Sequence, residues 1–394
     1  MHRAQPGRFA CVVALATVCL VVVTPTARGQ LRPDPAALSS ASPELIDRVR
    51  ADPFTYFRFI NRAWTARVCE VFADVTDAPV VRLHGDAHVE QFALTKDAWG
   101  LDDFDDSTRG PGFIDIVRFL GSLDLAARQR GWMRDRDVLW DRFLAGYRQG
   151  LSDADYRLPE PGIVRHLRRQ AARTRVAYLA WGEKQMQPMD GATSKSVVEG
   201  IEAFAQFVRK ERPQLATGYF AIVRAGWLRI GVGSAAARKV LVRVQGPTTA
   251  SEDDVLIEAK EVANLDGLGC LEDSTIRRAG RVIDGSRQLG RLKHDILAIR
   301  PTLLIPAADR AENWLDWWVV SWEPSYREVT LNDLRSVNDL SDIAFDSGVQ
   351  LGAGKLSSVR QQELASIKKL EGRLRKQTSV IVEELLAGWR ELRK

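Results

Sequence analysis

Cysteine and histidine are scarce in this chain, at four and five among 394 residues. Cys11 and Cys19 fall in an N-terminal segment expected to be removed. Only Cys69 and Cys270 then remain, and the rest of the chain can hold at most one disulfide. In an oxidising compartment the two could pair; two buried thiols are the equally good alternative, since Cys69 sits on a helical pattern. Excess charge is also missing. The formal balance is +5, but residues 1–29 hold three Arg and no acid, which leaves 53 basic against 51 acidic side chains. Without a concentrated basic surface, nucleic acid is excluded as an expected partner. Beyond the N-terminus there is no apolar run near the roughly 20 residues that cross a bilayer. Repeats and low-complexity tracts are absent too. A hydrophobic content of 45%, with eleven Trp and fourteen Phe, is enough for one large or two moderate cores and excludes a disordered chain.

The N-terminus reads as a processing signal. Arg3 and Arg8 precede an uncharged run from Phe9 to Val23, and Ala27-Arg28-Gly29 offers small residues for cleavage before Gln30. Residues 1–29 are therefore expected to be a signal peptide, with an uncleaved anchor as the alternative. The mature protein is expected to be exported, periplasmic or extracellular, with no stable membrane insertion. Residues 30–41 are expected to form a flexible lead-in, and 42–394 the folded domain.

Ser42-Pro43-Glu44 and Asp52-Pro53 each read as an N-cap followed by proline at the first helical position. Phe57, Ile60, Trp64 and Val68 continue at helical spacing. A short strand, Val80–Leu83, follows, then loops to about residue 110. Ile114, Val117, Leu120 and Leu123 mark a helix, and helical patterns run to about residue 210. Residues 219–262 change texture: Val240–Val244 and Val255–Val262 predict a hairpin fed by the glycine turn Gly231-Val232-Gly233-Ser234. The remainder reads mainly as helix, including residues 310–394, where Trp314, Trp317, Trp318 and Trp322 stand at near-helical spacing.

Chemistry concentrates in two short segments, His84-Gly85-Asp86-Ala87-His88 and Asp102-Asp103-Phe104-Asp105-Asp106. Phosphoryl transfer needs a carboxylate to orient or deprotonate the nucleophile, oxygen ligands for Mg²⁺ and a cation over the phosphates. Asp86, in a tight turn after a strand, suits the first role. His84 and His88 flank it as catalytic candidates or as structural supports. Asp103 suits metal binding with Asp105 beside it, and hard oxygen donors favour Mg²⁺ or Mn²⁺ over zinc. Asp102 and Asp106 are expected to face solvent. Gly231, Gly233 and Ser234 would let backbone amides approach phosphate. Lys260, between Glu258-Ala259 and Glu261 on the second hairpin strand, would reach the α- and β-phosphates of ATP, or else is a strand-edge lysine.

These motifs, with Gly-Pro-Gly-Phe-Ile-Asp115, Asp52-Pro53-Phe54-Thr55-Tyr56-Phe57-Arg58 and Arg281-Val282-Ile283, resemble the bacterial family called domain of unknown function 2252 (DUF2252). That family is grouped with the protein-kinase-like fold, near the aminoglycoside and choline kinases. The resemblance implies an α+β architecture with a mostly helical lobe and a small antiparallel sheet lobe. It implies Asp86 as base, Asp103 as principal metal ligand, and Asp115 bracing the catalytic loop. The glycine turn and Lys260 follow the catalytic loop by more than 120 residues, so the nucleotide-binding lobe would be permuted in chain order. The chain departs from the family pattern at three places. Gln91 stands where the family carries a metal-binding Asn and is expected as a third metal ligand through its amide carbonyl, Ala236 replaces a glycine, and Gly352-Ala353-Gly354-Lys355 replaces an Ala-His-Ala segment.

Three functions are consistent with these residues. The first is a Mg²⁺- and ATP-dependent phosphotransferase acting on an unknown small-molecule or protein substrate. The second is a catalytically degenerate kinase-like binding protein, favoured by Gln91, Ala236 and the scarcity of ATP outside the cytoplasm. The third is a metal-dependent phosphohydrolase with two metals and no role for Lys260. If the first holds, Asp86, Asp103 and Lys260 must meet in one cleft.

Overall fold

Both proline signals open helices. Ser42 accepts a hydrogen bond from the Leu45 amide at 3.2 Å and starts Pro43–Ala51. Asp52 accepts from the Thr55 amide at 2.7 Å and starts Pro53–Phe59. A computed structural model describes residues 31–170, 174–228, 231–232, 238–272, 278–299 and 317–394. The expected signal peptide lies outside them. Among the described residues the fold is α+β, with twelve α-helices and small antiparallel sheets. No described helix is long and apolar enough to cross a membrane.

The strands are β1 (Val80–Leu83), β2 (Phe92–Leu94), β3 (Trp99–Leu101), β4 (Thr108–Pro111), β5 (Met186–Gln187), β6 (Ile222–Leu228), β7 (Lys239–Val244), β8 (Val255–Glu261), β9 (Leu297–Ile299), β10 (Trp317–Ser321) and β11 (Arg327–Glu328). β1 pairs with β4, and β2 lies between β11 and β3. The larger sheet has six strands in the order β5-β6-β7-β8-β10-β9. The predicted hairpin is β7–β8, in register from Lys239 opposite Lys260 to Val244 opposite Val255.

Alternation along these strands sorts side chains to the two faces of the six-stranded sheet. Val240, Val242, Ile257, Ala259, Trp317 and Val319 pack with the helix Gly191–Glu211. The opposite face carries Lys239, Glu258, Lys260, Trp318 and Val320 toward the helical part and the acidic loop. That part is built on the helix Phe113–Arg130, whose apolar residues join those of β1, β2 and the C-terminal helix Ser357–Leu392 in one core. The helices Arg136–Ser152 and Val337–Ala353 approach closely through glycines: a Cβ on Gly146 would lie 2.1 Å from the Phe345 carbonyl oxygen.

Two expectations need correction. Residues 31–41 are docked, not a loose lead-in. Asp34 and Pro35 begin a helix Pro35–Ser40 by the same cap-and-proline signal used twice downstream. Leu31 is buried, its amide donates to the Glu384 carbonyl at 3.2 Å, and its own carbonyl accepts from the Tyr56 hydroxyl at 2.5 Å. The tryptophan segment is a strand where described. Trp317 and Trp318 point to opposite faces of β10, beside the β-branched Val319 and Val320 that favour strand; Trp314 lies outside the described residues.

Cys69, in the helix Asn61–Val71, is bonded to Cys270, with the two Cα atoms 5.4 Å apart. The bond closes a loop of 201 residues and ties the helical part to the segment after β8. Cys270→Ser should lower unfolding free energy by about 2–5 kcal/mol. Chemical denaturation of oxidised wild type against the variant reads this; coincident midpoints would contradict it.

Candidate active site

β1 runs directly into the turn His84-Gly85-Asp86. Gly85 has φ +84°, and a Cβ there would sit 1.9 Å from the Asp106 carbonyl oxygen. The turn and the acidic loop therefore touch through a position that only glycine fits. One stripe of the helix Phe113–Arg130 holds the turn from behind. Asp115 accepts the His84 and Gly85 amides at 2.8 and 2.9 Å. Ser122 accepts the Val89 amide at 3.2 Å. Arg118, between them, donates from Nε to Asp86 Oδ1 at 2.8 Å and brings Nη2 to the same oxygen at 2.6 Å. Its guanidinium lies 3.5 Å over the Phe57 ring.

Asp86 is buried. Burial by itself would raise its carboxyl, but Arg118 and His88 outweigh burial and hold it well below the usual carboxylate range. It is ionised at neutral pH, a weak proton acceptor but a strong hydrogen-bond acceptor. Oδ1 is committed to Arg118, while Oδ2 has only long contacts: Gln91 Nε2 at 3.5 Å and His88 Nε2 at 3.6 Å.

The two histidines stand behind this turn, and neither lines the cleft described below. His84 Nε2 donates to the Asp102 carbonyl at 2.9 Å, and its Nδ1 accepts from the Asp86 amide at 3.3 Å. His88 is fully buried, edge-on to Phe54 at 5.9 Å between ring centroids. Burial lowers the His88 imidazole to about 4, despite the pull of Asp86. A folded value below the unfolded 6.5 means the unfolded chain takes up the proton first. The corresponding stability is full above pH 6.5 and is lost as pH falls from 6.5 to about 4, by up to about 3 kcal/mol. His88 ring resonances should stay those of neutral imidazole at pH 5; a ring protonated at pH 6 would contradict this.

The acidic loop faces β8. Asp103 holds a left-handed backbone, φ +58°, uncommon for a residue with a side chain. Its Oδ1 is 3.3 Å from Lys260 Nζ, and the same ammonium is paired with Asp105 Oδ2. Burial would raise the Asp103 carboxyl, but Lys260 and a hydrogen bond with Asp105 lower it to about 2. Asp105 is pushed up by burial and by the charge on Asp103. Burial would also lower the Lys260 ammonium; the two aspartates reverse this and keep it protonated. Asp102 and Asp106 are not solvent-facing as expected, because the loop folds back over the turn. Asp102 is buried with Oδ1 3.5 Å from His294 Nε2. Asp106 is half-buried and accepts from Asn61 Nδ2 at 3.0 Å.

Asp86, Gln91, Asp103, Asp105 and Lys260 line one cleft of about 1410 Å³ between the six-stranded sheet and the helical part. Gly231, φ +101°, lines it as well; Gly233 and Ser234 lie outside the described residues. The donors suit a hard cation, and the Lys260 ammonium already lies between Asp103 and Asp105. Among the described residues no three His, Cys, Asp or Glu side chains form a metal-holding group. A divalent ion there would be held by one or two carboxylates and complete its shell with ligand oxygens and water, the usual habit of Mg²⁺.

Sequence reasoning missed Arg118 and Lys239. Asp115, Arg118 and Ser122 share a helical stripe in an otherwise apolar helix, and that spacing was the available signal for Arg118. Lys239 opposite Lys260 was readable only once the hairpin register was known.

Residues 39–160 match the family described as uncharacterized protein conserved in bacteria (DUF2252). The family resemblance therefore holds over the segment containing the turn, the acidic loop and the supporting helix. No curated protein and no solved structure matches the chain.

Proposed function

We propose that this chain, a DUF2252 sequence over residues 39–160, is an exported kinase-like phosphotransferase that binds ATP with Mg²⁺ and acts on a hydroxyl substrate. The observation that carries this reading is the Lys260 ammonium resting on Asp103 and Asp105 in the cleft that Asp86 also lines. Cation, metal-binding carboxylates and nucleophile-orienting carboxylate are the parts that phosphoryl transfer requires. The sheet supplying Lys260 follows the catalytic turn in sequence, in keeping with a permuted kinase-like order. The Cys69–Cys270 bond suits an oxidising compartment, in keeping with export.

In this reading Asp103 and Asp105 hold the metal, which would neutralise charge on the transferring phosphoryl group. Lys260 turns from the aspartates to phosphate oxygens. Asp86 Oδ2 accepts a hydrogen bond from the substrate hydroxyl and orients it. Held low by Arg118, Asp86 acts chiefly by orientation and receives the proton late. His84, His88 and Asp115 keep the turn in place.

The degenerate binder is the second reading. The tight Arg118 pairing of Asp86, and the Gln91 amide turned toward Asp86, favour it. No observation favours the two-metal hydrolase, whose histidines would need to reach the cleft.

Calorimetric titration of ATP with and without Mg²⁺ tests the site. Wild type should bind in a Mg²⁺-dependent manner, and Asp103→Ala should weaken binding at least tenfold. Metal-independent binding, or unchanged affinity in the variant, would contradict the assignment. Binding with no ADP release over a panel of hydroxyl acceptors would favour the binder.

A further inference from the structure

Arg281, in the motif Arg281-Val282-Ile283, does not line the cleft, yet it reaches both of the cleft's chemical walls. The motif lies on the helix Arg278–Leu289, which packs against the acidic loop. Val282 and Ile283 join Phe104 and Val262 in one apolar cluster. At Gly285 the approach is so close that a Cβ would lie 1.9 Å from the Ser107 hydroxyl oxygen. Arg281 itself is 8% exposed and forks across three backbone carbonyls. Nη1 donates to the Asp105 carbonyl at 2.7 Å and to the Ser107 carbonyl at 2.6 Å. Nη2 donates to the Ala263 carbonyl at 2.6 Å.

Two of these carbonyls belong to the acidic loop. The third lies three residues beyond Lys260, just past the end of β8. The Lys260 ammonium in turn pairs with the Asp105 carboxylate. These contacts close a circuit. It runs from Lys260 along the chain to Ala263, through the guanidinium to the Asp105 backbone, and through the Asp105 side chain back to Lys260. The side-chain pair alone leaves the separation of strand and loop soft, because a lysine ammonium rides on a flexible four-carbon stem. The guanidinium stiffens it. It is planar, always charged, and carries five N–H donors in a fixed fork. A lysine at position 281 has a single nitrogen. It could reach the loop carbonyls or the Ala263 carbonyl, but it could not span them.

We propose that Arg281 is a positioning residue, which holds Lys260 and the loop of Asp103 and Asp105 at a fixed separation so that phosphate-binding cation and metal-binding carboxylates meet one ligand together. The inference rests on the phosphate-binding reading of Lys260 and adds the residue that sets its place. Arg281 acts through Lys260 and Asp105, since its own guanidinium is spent on the three carbonyls outside the cleft lining.

The test compares the full chain with Arg281→Met and Arg281→Lys; the second keeps the charge and serves if the first folds poorly. Hydrogen exchange reads the clasp without a ligand. The Asp102 and Ser107 amides donate to the Gln91 and Phe104 carbonyls, both at 2.9 Å, and exchange when the loop opens. Exchange over residues 102–108 should be about tenfold faster in the variants, and unchanged over residues 113–130. Calorimetric titration of ATP with Mg²⁺ reads the site. Arg281→Met should weaken binding about tenfold and Arg281→Lys about threefold to tenfold, the range of one charge-assisted hydrogen bond. In an Asp105→Ala background, where the circuit is already open, the same substitutions should cost less than twofold. Losses that simply multiply in that background, or faster exchange that extends over residues 113–130, would mark a general support of the fold and overturn the inference. Mg²⁺-dependent ATP binding that both variants leave within twofold of wild type overturns it too and leaves the proposed function standing. Faster exchange confined to the loop, with no ATP binding by folded wild type, upholds the clasp and overturns the ATP reading.

Discussion

Gly85→Ala lowers the unfolding free energy by about 3 kcal/mol or more. A left-handed backbone costs an alanine roughly 1–2 kcal/mol. The new methyl also meets the Asp106 carbonyl oxygen at 1.9 Å, where a backbone atom, not a flexible side chain, must give way. Forcing atoms into a packed site adds about 1–3 kcal/mol. The displacement would propagate to both halves of the site, since Gly85 joins the Asp86 turn to the loop carrying Asp103 and Asp105. Denaturant titration with an unchanged m-value reads the loss. A variant within 0.5 kcal/mol of wild type would show that the turn is not packed on the acidic loop.

Arg118→Met costs about 3–5 kcal/mol at neutral pH, because it strands a buried carboxylate. The pH dependence identifies the cause. In wild type the Asp86 carboxyl lies below its unfolded value. Its contribution is complete above the unfolded carboxylate pKa near 3.9 and is lost as pH falls through the lower folded value. In the variant burial acts without its counterweight, and the folded pKa rises above the unfolded one. Stability then falls as pH rises through that interval, so the gap between variant and wild type is widest at neutral pH and narrows in acid. Replacing both partners, Asp86→Leu with Arg118→Met, should recover most of the loss, since an apolar pair of similar volume leaves no stranded charge. A gap that is the same at pH 7 and pH 4 would mean that Arg118 acts through packing on Phe57 alone.

What the sequence disclosed followed short-range rules. Cap-and-proline signals located two helices to the residue, and β-branched runs located β7 and β8. Asp115 was expected to brace the turn, and it does so through two amides. The failures have physical causes. The lead-in looked loose by composition, yet Leu31 is fixed by Tyr56 and Glu384, partners remote in sequence. Trp317 and Trp318 were placed on a helix by their spacing, whereas their burial on opposite faces is what a strand requires. Asp102 and Asp106 were expected to face solvent; the fold instead sets them beside His294 and Asn61, partners remote in sequence. Pairing of Cys69 with Cys270 could not be decided without knowing that residue 270 returns to the helix carrying residue 69. The position of Lys239 opposite Lys260 depends on strand register, which no local pattern specifies.

Diffraction from crystals grown with Mg²⁺ and a non-hydrolysable ATP analogue tests the central claim most directly. The predicted result is a metal ligated by Asp103, with Asp105 in or beside its shell, phosphates on Lys260, and Asp86 Oδ2 facing the terminal phosphate. A nucleotide bound outside this cleft, or a metal whose ligands include neither Asp103 nor Asp105, would contradict it.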